Sequence, residues 1–403
     1  MKEVKNSAYD ESAQACNSSS FYIRKKEEFF MSSNWKKYAC GALLACLSLA
    51  AAGCGSSSST PETTTVSGKA VKGPIADAMV TAYKMDALGK QGSQAIGSTR
   101  TASNGDYTLK IPKSSGPIII EVRGTETSSY VNEATGTTVR FASDEILRAA
   151  VIDPAAVATV SVTPFTDMAV TKLQEYAATA PAGTPLAKLD IAAVNTIENA
   201  LKTMVGAANF SLSDVNSAGS TAALTLFAQL LTTQSAANPA VNSTSLAQNF
   251  VNAITVGGNT LVTLNTQITA AAATLQSSGI STVTPTAIAI AITPDFTDIT
   301  LPTTPTNLNK STAFNEVILT WAASSDAAGI AGYFVYRDNI KIAKVTVPGY
   351  TDATVKASTT YVYSIRAYDP NGNLSEPGTL SVTTPAAPLP GSLDIIVNGQ
   401  IRT

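Results

Sequence analysis

The chain contains no histidine. That removes the Ser-His-Asp and Cys-His nucleophile systems and the His-based metal sites. All four cysteines, Cys16, Cys40, Cys46 and Cys54, fall within the first 54 residues. Neither a disulfide framework nor a thiolate metal site can therefore form in the rest of the chain. Charge is also scarce. Asp, Glu, Lys and Arg make up 14% of the 403 residues, against about 25% in ordinary globular chains. The 27 basic and 29 acidic side chains give a formal net charge of −2, without the basic excess that marks a nucleic-acid binder. There is no Gly-rich phosphate loop ending in Lys-Ser or Lys-Thr, and Ser-x-x-Lys spacing occurs only at Ser33 and Lys36. No catalytic residue, metal ligand or cofactor site is expected. Ala, Ser and Thr fill the space that charge leaves, so the surface is read as neutral and hydroxyl-rich.

The N-terminal segment reads as a targeting signal beginning at Met31, which would make residues 1–30 an upstream extension. Lys36 and Lys37 precede an apolar stretch from Gly41 to Gly53, too short for the roughly 20 apolar residues that span a bilayer. The tetrad Ala51-Ala52-Gly53-Cys54 resembles the lipobox of bacterial lipoproteins, although Ala51 stands where that family more often has Leu. The resemblance implies cleavage between Gly53 and Cys54 and acylation of the Cys54 thiol. Gly55, in place of Asp, implies the outer membrane. One acyl chain binds membranes only marginally, whereas two or three hold firmly. Residues 54–65 then form a lipidated cysteine and a Ser/Thr tether.

Residues 66–164 read as strands and turns. Met79 to Tyr83 alternates, Asn104-Gly105 marks a hairpin before Tyr107 to Ile111, and Pro117 to Val122 is a more buried strand. Lys69 and Lys72 read as solvated strand lysines. The segments VSGKAVKGPIADAMVTAY, TRTASNGDYTLKIP and PIIIEVRG resemble the carboxypeptidase-regulatory (transthyretin-like) sandwich family, whose members are usually non-catalytic spacers or binding modules. Further on, Tyr130 to Phe141 suggests an edge hairpin through Gly136, and Val157 to Val162 a strand ending at Pro164. Glu133, Asp144 and Glu145 are close in sequence, but nothing in the sequence makes them converge as a glycosidase acid–base pair.

Residues 165–300 are Ala-rich, with apolar residues at helical spacing: Leu186, Leu189, Ile197 and Leu201; Leu224, Phe227 and Leu231; Leu246, Phe250 and Ile254; Leu261, Leu264 and Ile268. Four or five helices are expected, the first over 167–178. The run Ala287 to Ile292 alternates small and large residues and reads as one strand.

Residues 301–385 begin at a Pro-rich linker. They hold VILTWAASSDAAGIAGYFVYRDNIKIA and YTDATVKASTTYVYSIRAYDPNGNLSEPGTLSVTTP. This stretch resembles a fibronectin type III module over its whole length. The resemblance places Trp321 in the core and makes Tyr361 the tyrosine corner. Tyr350 and Tyr368, near loops, are the expected binding contacts, since aromatic rings pack on sugar and protein surfaces. Asp369-x-Asn371-x-Asn373 has calcium-loop spacing but lacks the bidentate Glu. Residues 386–403 are a tail.

The expected fold class is multidomain, mixed β and α: an N-terminal β-sandwich, a central Ala-rich helical bundle and a C-terminal fibronectin type III (Ig-like) β-sandwich. The expected function is a non-catalytic, lipid-anchored cell-envelope protein that binds or spaces polysaccharide, an envelope protein or extracellular material at the outer membrane, with no nucleic-acid partner. The alternative is an accessory subunit or degenerate enzyme of envelope or extracellular polysaccharide processing. Convergent carboxylates in a cleft of the helical part would favour that alternative; a flat surface with exposed aromatics would favour the first reading.

Overall fold

The structure is a computed structural model. It covers residues 62–113, 115–157, 159–206, 210–212, 214–281 and 283–388, with the backbone of 395–397 and 400–402. The expectations for Gly53, Cys54 and the whole leader lie outside the described residues, as does most of the tail.

Nine short strands come first: β1 Thr63–Lys69, β2 Ile75–Ala76, β3 Met79–Met85, β4 Gln91–Arg100, β5 Asp106–Pro112, β6 Ile118–Arg123, β7 Ser129–Val131, β8 Thr138–Arg140 and β9 Ile146–Val151. They form sheets ordered β4-β3-β6-β9, β1-β5 and β2-β7-β8. Val66, Leu109, Ile118, Ile120, Val122, Phe141 and Leu147 share one apolar core between them. The hairpin through Gly136 is present as the β7–β8 pair. Gly105 turns with φ +82°, but β4 and β5 on either side of that turn belong to different sheets, so the Asn-Gly turn is a corner and not a two-stranded hairpin. The described residues of 157–162 form no full ladder. They run parallel beside β1 through isolated bridges of Thr159 with Ser67 and Val162 with Ala70.

Strand β6 is apolar on both faces for a reason the order of layers makes plain. Ile118 and Ile120 point into the sandwich, while Ile119 points outward against helical residues Val170, Leu173 and Leu189. The helices are α1 Pro164–Thr179, α2 Leu186–Val205, α3 Ala218–Ala237, α4 Ser243–Val256 and α5 Gly258–Ser277. Helix α1 starts three residues before the sequence expectation. Pro164 occupies its first turn and Thr163 caps it in a reciprocal box with Thr166; proline is pre-organised for a helix start and is not only a strand breaker. The other apolar stripes meet in a core around Phe165, Ile197, Phe227, Phe250 and Ile268, while Leu189 stays with the layer against Ile119.

The Ala-Ile run is not a strand. It is an extended segment lying on the helices: Asn265 brackets Ile288 by accepting from its N–H (2.8 Å) and donating to its carbonyl (2.9 Å), and the Ala291 N–H donates to the Ile254 carbonyl. Ile288 is buried but Ile292 is 88% exposed. The small–large alternation that mimics a strand here serves to place one isoleucine on the bundle.

Seven further strands follow: β10 Thr306–Ala313, β11 Glu316–Ala322, β12 Gly332–Arg337, β13 Ile340–Val345, β14 Gly349–Asp352, β15 Thr360–Tyr368 and β16 Gly378–Thr383. Sheets β10-β11-β14 and β13-β12-β15-β16 enclose Trp321, Tyr333, Val335, Tyr363 and Ile365. Asp338 and Asn339 both have positive φ, 51° and 67°, as a two-residue type I′ turn requires. The Tyr361 hydroxyl accepts the Lys356 N–H at 2.8 Å, which closes the tyrosine corner. Tyr361→Phe strands that N–H. Urea unfolding of the variant is expected to show a loss of about 1–2 kcal/mol; an unchanged midpoint would remove the corner from the account. In the tail, β17 Ile395–Val397 pairs with β18 Gln400–Arg402 as a separate hairpin.

Candidate functional site

The type III strands are docked onto the helices through one face of their four-stranded sheet. Phe334 and Tyr368 stack at 4.7 Å and 18° on that face, with Lys341 Nζ 5.1 Å from the Phe334 ring and Lys344 Nζ 5.2 Å from the Tyr368 ring. Lys344 pairs with Glu198 of α2 at 2.7 Å, both ends sequestered. Burial draws the Lys344 ammonium down, but the Glu198 carboxylate and the Tyr368 hydroxyl together outweigh it and hold the group above its usual value. The edge strand β13 does not meet solvent at Lys341: its N–H donates to the Ala156 carbonyl at 2.8 Å, and Val157 bridges it in parallel.

Asp190, one turn before Ala193 and Val194 on α2, sits by Lys341 and Lys344. Burial raises its carboxyl to about 6, against the opposing pull of the two lysines. An acid whose folded pKa is raised contributes stability that is fully present below its unfolded value near 3.8 and lost as the pH rises through 6. Asp190→Asn therefore matches the parent at pH 4 and exceeds it at pH 7.5 by up to about 3 kcal/mol. Thermal unfolding at the two pH values checks this; a variant weaker at pH 7.5 would show that the ion pairs dominate the burial cost.

A second cluster joins the linker to two loops of the type III strands. The carboxylates of Asp298, Asp326 and Asp369 each offer an oxygen, and these lie within 4.8 Å of one another. Asn371 Nδ2 donates to Asp298 Oδ2 at 2.9 Å and Asn373 Nδ2 to Asp369 Oδ2 at 2.8 Å. Lys188 Nζ donates to the Asp298 carbonyl. Burial and the two neighbouring carboxylates raise Asp369, against its bonds from Asn373. These are the hard oxygen donors that a calcium ion takes, but amide N–H groups already engage them. The sequence pointed to Asp369, Asn371 and Asn373 alone; Asp298 and Asp326 carry no sequence signal, since only the fold brings them there. The loop itself is held tightly. Gly372 has φ +87°, and a Cβ on it would collide with the Lys188 carbonyl of α2.

The third cluster is buried. Lys72 is 2% exposed and not solvated as the sequence suggested. Its ammonium lies 2.8 Å from Glu145 Oε2 and 3.2 Å from Ser243 Oγ at the start of α4, with the Tyr130 ring 4.1 Å away. Burial lowers its pKa despite Glu145 and Glu133. Glu133 accepts the Gly73 N–H, and Asp144 accepts from Asn242. Glu133 and Glu145 thus converge on a buried lysine that ties sandwich to helices.

Of the expected contacts, Tyr368 is 0% exposed, because an outward strand position in a lone module is here covered by α2. Tyr350 is half-buried against the type III core. Tyr368 presents no free ring and is withdrawn as a binding contact, whereas Tyr350 keeps part of its surface exposed. Trp321 and Tyr361 are core residues. Open grooves lie elsewhere among the described residues. One lies at the far end of the type III strands, between Arg337, Ile340, Lys356 and Tyr361. Another, about 390 Å³, lies on α3, α4 and α5 and is lined by amides and hydroxyls, without the convergent carboxylates that an enzyme of glycan cleavage uses.

No protein-family model matches this chain. Among curated proteins it is similar to Exoglucanase B of Cellulomonas fimi, 42% identical over 93 residues, which cover 23% of this chain and 8% of that one. It is also similar to Chitinase Chi52 of Paenibacillus xylanexedens, 38% over 89 residues, 22% and 17% of the two chains. A third is the Poly(3-hydroxybutyrate) depolymerase of Ralstonia pickettii, 38% over 85 residues, 21% and 17%. The chain spans less than a fifth of the length of each of these relatives, and the likeness is to their fibronectin type III regions. Among solved structures it is similar to chitinase ChiA74 from Bacillus thuringiensis, 27% identical, covering 30% of this chain and 17% of that one with a TM-score of 0.21. It is also similar to a human fibronectin type III domain, 21% identical, covering 24% and 96% with a TM-score of 0.20. The chain is a multidomain protein of mixed β and α structure with a fibronectin type III-like domain.

Proposed function

We propose that this chain is a non-catalytic cell-envelope protein that associates with polysaccharide and is held at the outer membrane by lipid on Cys54. The observation that carries the reading is the identity of its relatives. Exoglucanase, chitinase and amylopullulanase all share the type III region with it, and the shared stretch is a non-catalytic segment of each. The absence of histidine and the amide-lined groove without carboxylates support a binding role over the accessory-enzyme alternative. The lipobox-like Ala51-Ala52-Gly53-Cys54 supports the anchor. With two or three acyl chains the protein stays with membranes.

Fractionation of cells tests the anchor: the parent sediments with outer membrane and Cys54→Ser is soluble. A parent found in the soluble fraction would end the anchored reading. Protease shaving of intact cells then separates a surface position, where the type III domain is lost, from a periplasmic one, where it survives until lysis.

A further inference from the structure

Three side chains along the groove on α3, α4 and α5 keep their polar groups free of bonds within the protein. Elsewhere, Thr225, Thr232, Thr255, Thr266, Thr269 and Thr274 turn their hydroxyls back onto the carbonyl four residues earlier. Thr263, in the groove, makes no such bond, and neither Asn249 nor Asn259 has a side-chain hydrogen bond among the described residues. Asn249 comes from α4; Asn259 and Thr263 from α5. Gln234 of α3 closes one end by donating to Gln267 Oε1 of α5 at 3.1 Å. The floor is apolar, with Leu264 buried in it. No charged side chain lines the groove.

We propose that this groove binds a neutral oligosaccharide chain. A carboxamide presents a donor and an acceptor side by side, which matches adjacent sugar hydroxyls, each of which both donates and accepts. The apolar floor suits the C–H face of a sugar ring, as an uncharged site with a few convergent polar groups suits a small ligand. The lining offers no charged side chain to pair with a phosphate, a uronate or a metal ion. From Asn259 to Gln267 the helix rises about 12 Å, so the rim follows a short run of linked rings and not a single one. The span fits a polymer chain lying along α5.

This inference rests on the polysaccharide reading above, and the experiment separates the two. The purified protein is titrated by calorimetry with cellohexaose and with chitohexaose, beside Thr263→Phe and the double variant Asn249→Ala, Asn259→Ala. All three positions are exposed, so the folded state is kept, and matching thermal unfolding confirms it. The parent binds at least one of the two saturably, and both variants lose about tenfold or more in affinity. Equal affinity in parent and variants would overturn the groove. So would the absence of saturable binding in a protein that is nonetheless retained on chitin or cellulose, and that result would leave the polymer reading standing. A protein that neither binds the oligosaccharides nor is retained on either polymer contradicts both.

Discussion

Replacing Lys72 with methionine lowers the stability of the protein by about 3–5 kcal/mol at neutral pH, the cost of removing one partner of a buried ion pair. The cost comes from what the substitution leaves behind. Glu145 is buried, and in the parent its carboxylate receives the Lys72 ammonium at 2.8 and 3.1 Å. Without that cation it keeps only a long contact with the Ser243 N–H at 3.5 Å, with Glu133 close enough to act on the same site. A second variant separates charge from packing. Lys72→Met together with Glu145→Leu removes both charges and regains most of the loss, since a buried pair replaced by apolar residues of similar volume is often neutral. Urea midpoints of parent, single and double variants decide it. A single variant within about 0.5 kcal/mol of the parent, the usual range for surface changes, would mean that the lysine finds water and is not the tie described.

Replacing Trp321 with alanine costs about 3–5 kcal/mol, the range for deleting a large buried aromatic. Trp321 is 6% exposed and meets Tyr333 edge-on at 5.3 Å, between the two sheets of the type III domain. The damage is expected to begin there and to reach the interface, because Lys341 and Lys344 are held on β13 of the same domain. Trypsin reports this directly. In the parent Lys344 is paired with Glu198 at 2.7 Å; in the variant, cleavage after Lys341 and Lys344 accelerates while the helices stay intact. Equal cleavage rates in parent and variant would show that the tryptophan does not hold the domain together.

How far the sequence spoke depends on whether the signal was local. The type III pattern was legible because its core lies in regular alternation along β11, β12 and β15, and the tyrosine corner needs only Tyr361 and a backbone group five residues away. The helical stripes were legible for the same reason. Proline misled at 164, where its role as a helix starter outweighed its role as a breaker, and the Ala-Ile run misled because isoleucine at every other position looks like a strand face although only Ile288 is buried. The ties between parts were not legible at all. Lys72, Glu145 and Ser243 are separated by 73 and 98 positions, and Lys344 and Glu198 by 146. Tyr368 was misjudged on the same ground: only the docking of α2 makes an outward residue an inward one. Of the groove, the sequence offered amphipathic helices, whereas the free state of Thr263, Asn249 and Asn259 belongs to the folded arrangement.

The central claim is that this protein holds polysaccharide without cutting it. The most direct test incubates the purified protein with chitin and with cellulose, spins down the polymer, and measures protein in the pellet and reducing ends in the supernatant. The account predicts protein retained with at least one polymer and reducing ends no higher than in a protein-free control. Protein left in the supernatant with both polymers, or reducing ends that rise with time, would contradict it.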